Sequence, residues 1–385
     1  MTSAGLSAAL HDALQGELSA AVELRHDLHA HPEPSGSEYR TSATVAAALG
    51  AADAPLIGGT GRIVRIGPQS GPCVAIRAEL DALPVTEETG VPWASQTGVM
   101  HACGHDVHLA ALVAVARAAR RVELPAGLLA VLQPREEANP LGAPDIVASE
   151  AFAMQRPRAV IGAHLQHQVP PGAVAAAAGT VNAAADEFEI RVEGRGGHAG
   201  YPHLAADPVP ALCQVVLALQ QIVSRRTDPT HAVAVSVGAL EAGQAPNVIP
   251  GRATARGSLR ALDETDRPAM HKALHEIVDH TCRAHGCHGT VTIVEGEPAL
   301  VNDEALAAAS WQWLREAGFT VDTLFRSCGA DDFAYYARAA PSLMMFVGVG
   351  GPVTLHHPRF LPDDAAVGRV AAAMLAGYLA AVDRS

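Results

Sequence analysis

Lysine is almost missing from this 385-residue chain, Lys272 being the only one. It stands in a polar helical stretch and not behind a glycine-rich turn, which argues against Schiff-base and phosphate-loop chemistry. Positive charge is scarce altogether: 27 Lys and Arg face 40 Asp and Glu, for a formal net charge of -13. A nucleic-acid surface needs clustered cations to neutralise phosphates, so the expected partner is a small molecule and no nucleic acid. Long apolar runs are lacking too. Candidates such as Leu109 to Ala119 are short and interrupted by arginine, so no membrane partner is expected. The N-terminus has no basic segment followed by an apolar core, and the expected compartment is the cytoplasm. Six cysteines spread singly over the chain, at 73, 103, 213, 282, 287 and 328, do not form a disulfide framework.

What is present is a chain of 49% hydrophobic residues, too long for one core, so two domains are expected. Helical spacing runs from Leu6 to Ala30, where Pro32 stops it, and again from Ser37 to Leu49. Apolar segments at Ile63 to Ile66, Cys73 to Ala78, Leu128 to Leu132, Ala159 to Leu165 and Leu343 to Val347 read as buried strands. Helices are expected over Asp106 to Val122, Asp303 to Ala317 and Asp363 to Val382. This pattern indicates an α/β domain, a mostly parallel sheet flanked by helices.

From about Ala183 the texture changes. Asp186 to Val192 and His231 to Leu240 alternate polar and apolar residues, as half-buried strands do. Asp207-Pro208 opens a helix, Ala253 to Arg260 and Thr290 to Glu295 add strands, and Asp263 to His285 a second helix. This order predicts an inserted α+β sandwich over 183–296, leaving 1–182 and 297–385 as one discontinuous domain.

Metal-binding groups concentrate in Met100-His101-Ala102-Cys103-Gly104-His105-Asp106-Val107-His108. Cys103 and His105, two positions apart, project to one side of an extended segment and can share an ion. Further candidates are Glu136 or Glu137, His164, and His356 or His357. Each follows a strand or precedes a helix of the first domain, so they converge where open α/β sheets place their sites. A thiolate, imidazoles and a carboxylate suit zinc, manganese, cobalt or nickel. The adjacent glutamates suggest one ligand and one proton acceptor. The set His280, Cys282, His285, Cys287 and His288 matches no common zinc spacing, and a helix ending at Gly286 explains it. Gly58-Gly59-Thr60-Gly61 lacks the spacing of a nucleotide loop.

Together with Gln133-Pro134-Arg135-Glu136-Glu137, Gly196-Gly197-His198 and Leu355-His356-His357-Pro358, the Cys/His stretch resembles the metallo-amidohydrolase family of hippurate hydrolases and auxin-amino-acid conjugate hydrolases. These are relatives of aminoacylase and carboxypeptidase G, and the likeness runs from His29-Ala30-His31-Pro32-Glu33 to the last helix. The resemblance implies two divalent ions per subunit (Zn, Mn, Co or Ni) held by Cys103, His105, Glu137, His164 and His356. Glu136 would be the general base, and Asp81 an acid that orients a ligand. The inserted domain would make a homodimer, or a tetramer, and act as a lid. His198 would stabilise the oxyanion across the dimer interface, while Asn247 and Arg260 would bind substrate. The implied reaction is hydrolysis of N-acyl or N-aroyl amino acids or related small amides. A dipeptide or an N-carbamoyl amino acid as substrate, and a non-catalytic protein that binds metal or acyl-amino acid, are the alternatives. The chain departs from the family pattern at Glu79 in Arg77-Ala78-Glu79-Leu80-Asp81, at Ala138-Asn139-Pro140-Leu141-Gly142, and at Gly329-Ala330-Asp331-Asp332-Phe333.

Overall fold

A computed structural model describes residues 2–384, and the chain divides into two compact units. The larger takes the residues up to Val181, Val301–Phe325 and Asp332 onward; the smaller takes Asn182–Leu300 with Arg326–Asp331.

The larger unit is built on a seven-stranded sheet. Its order is Arg62–Ile66, Gly127–Gln133, Cys73–Glu79, Ala159–Gln166, Ser342–Gly348, Ala173–Ala175 and Thr320–Asp322. The four strands from Gly127–Gln133 to Ser342–Gly348 run parallel, and every one of their residues is buried, as continuous apolar runs between two helical layers should be. Arg62–Ile66 closes one edge antiparallel. Because the four are parallel, their carboxyl ends lie on one side. Asp81, Glu136, Glu137 and His164 stand at those ends, and the loop with His356 follows the last of them.

Helix His105–Ala119 is buried at every residue but Arg117. Its N-terminus begins at Gly104, whose φ of 88° is left-handed and favours glycine. The expected helix from Leu6 to Ala30 is two, Ser3–Gln15 and Leu18–Ala30. Gly16 weakens the continuous helix, and the Glu17 N–H turns back to the Leu14 carbonyl (2.9 Å). The last helix, Ala365–Asp383, corrects the reading of short apolar runs. It is long and apolar enough to cross a membrane by length and composition, yet most of its residues are buried inside the unit. It packs on helices His105–Ala119 and Glu304–Glu316 and on strand Ala159–Gln166, so its apolarity serves the core.

The smaller unit is a four-stranded antiparallel sheet, ordered His288–Glu295, Ala184–Glu193, Arg252–Ala261 and Val233–Ala242. Along Ala184–Glu193, Phe188, Ile190 and Val192 are buried, whereas Glu187, Glu189, Arg191 and Glu193 are exposed. Helices Pro208–Gln221 and Arg267–Ala284 cover the buried face. Asp207 caps the first, accepting from the Val209 N–H (2.9 Å). The second ends before Gly286, at a φ of 69°, so Cys282 lies in the last turn of the helix and Cys287 just before the strand His288–Glu295.

Candidate metal centre

At the carboxyl edge of the large sheet, Cys103, His105, Glu137, His164 and His356 come together. His164 donates from Nδ1 to the Leu165 carbonyl (2.7 Å), which leaves Nε2 as a lone pair facing Cys103 Sγ at 3.4 Å. His105 donates from Nδ1 to the Asp81 carbonyl (2.8 Å), so its Nε2 points into the site. Glu137 Oε1 lies 3.9 Å from that Nε2 and 3.5 Å from His356 Nε2. These gaps suit shared cations: a tetrahedral ion bonded at about 2.3 Å to sulfur and about 2.1 Å to nitrogen separates those ligand atoms by about 3.5 Å. His105 Nε2 and Glu137 Oε1 are both buried without a hydrogen-bond partner, a costly arrangement unless something binds between them.

The electrostatics agree. Glu79, Asp81, Glu136 and Glu137 bring carboxylates into a space with little water. Burial raises the Cys103 thiol far above its ordinary value, and the charges of Glu137, Glu136 and Glu79 raise it further. Burial lowers the His105 imidazole, but Asp81, Glu79 and Glu137 outweigh it and push it up to about 10. Burial raises the Glu137 carboxyl against the opposing pull of His105 and His356. Burial, helped by His108, takes His164 down to about 3, so it is neutral and its lone pair is available. Divalent cations would match the excess negative charge and displace the thiol proton.

The left-handed His356, at a φ of 67°, is fixed by its N–H to the Ala102 carbonyl (2.9 Å). This separates the two neighbouring histidines: His356 faces Glu137, and His357 Nδ1 accepts the Arg359 N–H (3.1 Å). Glu136 sits beside the cluster, with Oε2 3.8 Å from His105 Nε2. Asp81 supports it from below. Its Oδ2 accepts from Ser35 Oγ (2.6 Å) and from the Glu137 N–H (2.9 Å), and its Oδ1 lies 3.6 Å from His105 Nδ1.

The sequence reading expects His108 to support the site, but it does not find what His108 holds. Glu79, His105, His108 and His164 crowd together, but His108 is engaged at both nitrogens. Nε2 accepts the Leu165 N–H (3.0 Å) and Nδ1 donates to Glu79 Oε2 (2.9 Å), so this pair holds the backbone beside His164. Arg77 and Glu79, one strand-period apart at a buried strand end, were the available signal. Asp106 does begin a helix, but its Oδ2 is taken by Arg25 Nε (3.2 Å) and His29 Nδ1 (3.0 Å). Ser35 carries no local pattern, and Asp332 shows only as part of the run Gly329-Ala330-Asp331-Asp332-Phe333.

His198, Asn247 and Arg260 belong to the smaller unit. His198 pairs with Val248 across two short strands, and the Ala199 N–H reaches the Asn247 carbonyl (3.1 Å), so the first two are neighbours. His198 is exposed and its Nδ1 accepts the Gly200 N–H (2.9 Å), which leaves Nε2–H as a donor. Arg260 is half-buried in its strand, with Glu297 as its electrostatic partner.

Comparison with known proteins accords with this geometry. The model of peptidase family M20/M25/M40 matches residues 75–379. The N-acetyl-L-cysteine deacetylase of Bacillus subtilis is 34% identical over 90% of this chain and 84% of its own. The N-acetyldiaminopimelate deacetylase of Exiguobacterium sibiricum is 32% identical over 90% of this chain and 95% of its own. A dinuclear metal-binding M20 peptidase from Bacillus subtilis superposes with a TM-score of 0.80 at 29% identity, over 96% of this chain and 98% of that one. The chain therefore belongs to peptidase family M20/M25/M40, as a metal-binding hydrolase of amide bonds.

Proposed function

We propose that the protein hydrolyses the amide bond of N-acyl or N-aroyl amino acids at a site of two divalent ions. The observation that carries this is the ring of Cys103, His105, Glu137, His164 and His356, with its unpartnered ligand atoms and with Glu136 beside it. When bound, the ions supply Lewis acidity, polarising the carbonyl and acidifying a water. Zinc, manganese, cobalt and nickel all suit this ligand set. Glu136 takes the proton of the attacking water and passes it to the leaving amine. Asp81 holds His105 and the Glu137 backbone in place.

The roles assigned to the smaller unit rest on the resemblance and on local chemistry. His198, with Nδ1 occupied by Gly200, offers Nε2–H to the oxyanion of a second copy's substrate in a homodimer or tetramer. Asn247 and Arg260 bind the amino-acid portion, Arg260 by its planar fork. Residues 183–296 are the dimerisation and lid domain, and 1–182 with 297–385 the catalytic one. Six free cysteines accord with a reducing cytoplasm.

The deacetylase relatives favour short acyl groups, whereas the hippurate and auxin-conjugate resemblance favours aromatic ones. A panel of acetyl, benzoyl, indole-acetyl, carbamoyl and dipeptidyl substrates, run on protein of measured metal content, decides. Turnover confined to the dipeptidyl or carbamoyl members would replace this reading, and no turnover of any member by metal-loaded protein would end it.

A further inference from the structure

The run Gly329-Ala330-Asp331-Asp332-Phe333 holds a group that the reaction scheme leaves unused. Asp332 is fully buried, as are its partners Arg77 and Gln133. Its Oδ1 accepts from Arg77 Nη2 (2.7 Å) and Gln133 Nε2 (2.8 Å), and its Oδ2 from Gln133 Nε2 (2.8 Å) and the Ala143 N–H (3.0 Å). Arg77 Nε in turn donates to Gln133 Oε1 (2.8 Å). Gln133 is the last residue of its strand and Ala143 the first of the next helix. Between them runs the loop that carries Glu136 and Glu137.

The two ends of that loop already touch. The Gly142 N–H donates to the Arg135 carbonyl (3.0 Å), and a Cβ at Gly142 would stand 1.8 Å from the Pro134 carbonyl oxygen. The segment is thus a compact loop closed at its neck, with one carboxylate bonded to both sides of the neck. A buried ion pair such as Asp332 with Arg77 is by itself weak evidence of stability, since desolvation offsets the attraction. Position is the better account of it, because catalytic groups must be held to within about half an ångström.

We propose that Asp332 is a positioning residue: by joining the start and the end of the 134–142 loop it fixes where Glu136 and Glu137 stand. The inference rests on the reading of those glutamates given above. It goes beyond that reading in assigning their placement to a side chain almost two hundred residues away in sequence.

The test is Asp332→Asn, which halves the accepting capacity at unchanged volume, beside Gln133→Leu, which breaks the same junction from the loop's other side without removing a charge. Each variant is assayed on the substrate the panel identifies, stripped of metal with a graded chelator, and followed by amide hydrogen exchange. The clamp requires kcat to fall about tenfold or more while KM stays within about threefold, because the loop carries reacting groups and not the substrate's binding contacts. It also requires the ions to leave at about tenfold less chelator. Exchange should quicken in the amides of 134–143 and not in the flanking strands. A merely structural role would lower thermal stability and leave kcat, chelator resistance and loop exchange at wild-type levels below the melting range, and that outcome in either folded variant overturns the proposal. If Asp332→Asn does not fold, Gln133→Leu decides by the same readouts. Chelator resistance and exchange do not depend on amide turnover, so a wrong assignment of Glu136 as base would leave them to judge the clamp separately.

Discussion

Gly104 sits between two candidate metal ligands, Cys103 and His105, and the cost of giving it a side chain can be worked from the structure. Its φ of 88° is left-handed, which costs an L-residue about 1–2 kcal/mol. An added Cβ would lie 2.7 Å from Leu165 Cδ1 and 3.6 Å from Phe360 Cε1, so the first contact must be relieved. Overpacking of that kind costs about 1–3 kcal/mol. Against these, alanine loses less chain entropy on folding than glycine, an offset of about 0.5–1 kcal/mol. Gly104→Ala is therefore expected to destabilise the larger unit by roughly 1–4.5 kcal/mol. The assay is urea unfolding by tryptophan fluorescence, because Trp93, Trp311 and Trp313 all lie in the larger unit and report on it alone. A double-mutant cycle with Leu165→Ala isolates the clash: removing the leucine should cost about 1–3 kcal/mol less in the alanine background than in the wild type. The shift should also separate Cys103 from His105, so the variant should lose metal to a weaker chelator. A variant within about 0.5 kcal/mol of wild type, the range of an unremarkable surface change, would refute the reasoning.

Two further outcomes are expected. Asp81→Asn keeps the size of the side chain but weakens the hold on Glu137 and His105, and should lower metal affinity about 10- to 100-fold by chelator competition, with the unfolding midpoint of the metal-stripped protein little changed. In the smaller unit, burial raises the Asp186 carboxyl, but hydrogen bonds from Arg267 and His271 outweigh it and hold it below the ordinary value of 3.8. A depressed carboxyl stabilises the fold above its unfolded pKa and loses that contribution as pH falls through the folded one. Acid unfolding of the smaller unit, followed by hydrogen exchange, should thus steepen below about pH 4. Asp186→Asn should remove that steepening and cost about 1–3 kcal/mol at neutral pH.

Much of this was legible in the sequence for a physical reason: buried parallel strands are apolar throughout, and the chemistry sits just beyond their ends. Cys73–Glu79, Gly127–Gln133 and Ala159–Gln166 each differ by only a residue or so at either end from the apolar runs that announced them. Ala173–Ala175 and Thr320–Asp322 were missed because three residues are too few to show a period. The split between Ser3–Gln15 and Leu18–Ala30 hangs on a glycine that a helix can tolerate. Partners such as Ser35 with Asp81, or Arg77 with Asp332, are 46 and 255 residues apart, and no local pattern records them. Residue types identified the metal candidates, while the choice of His356 over His357, left open by the residues themselves, came with the resemblance; of the two rings it is His356 that lies 3.5 Å from Glu137.

The central claim is that Glu136 handles the proton in an amide hydrolysis at a two-ion site. Glu136→Gln, with metal content and activity measured on one preparation, tests it most directly. The account expects both ions retained, KM nearly unchanged and kcat lowered by about 10²–10⁴. Full activity in a folded, metal-loaded Glu136→Gln enzyme would contradict it.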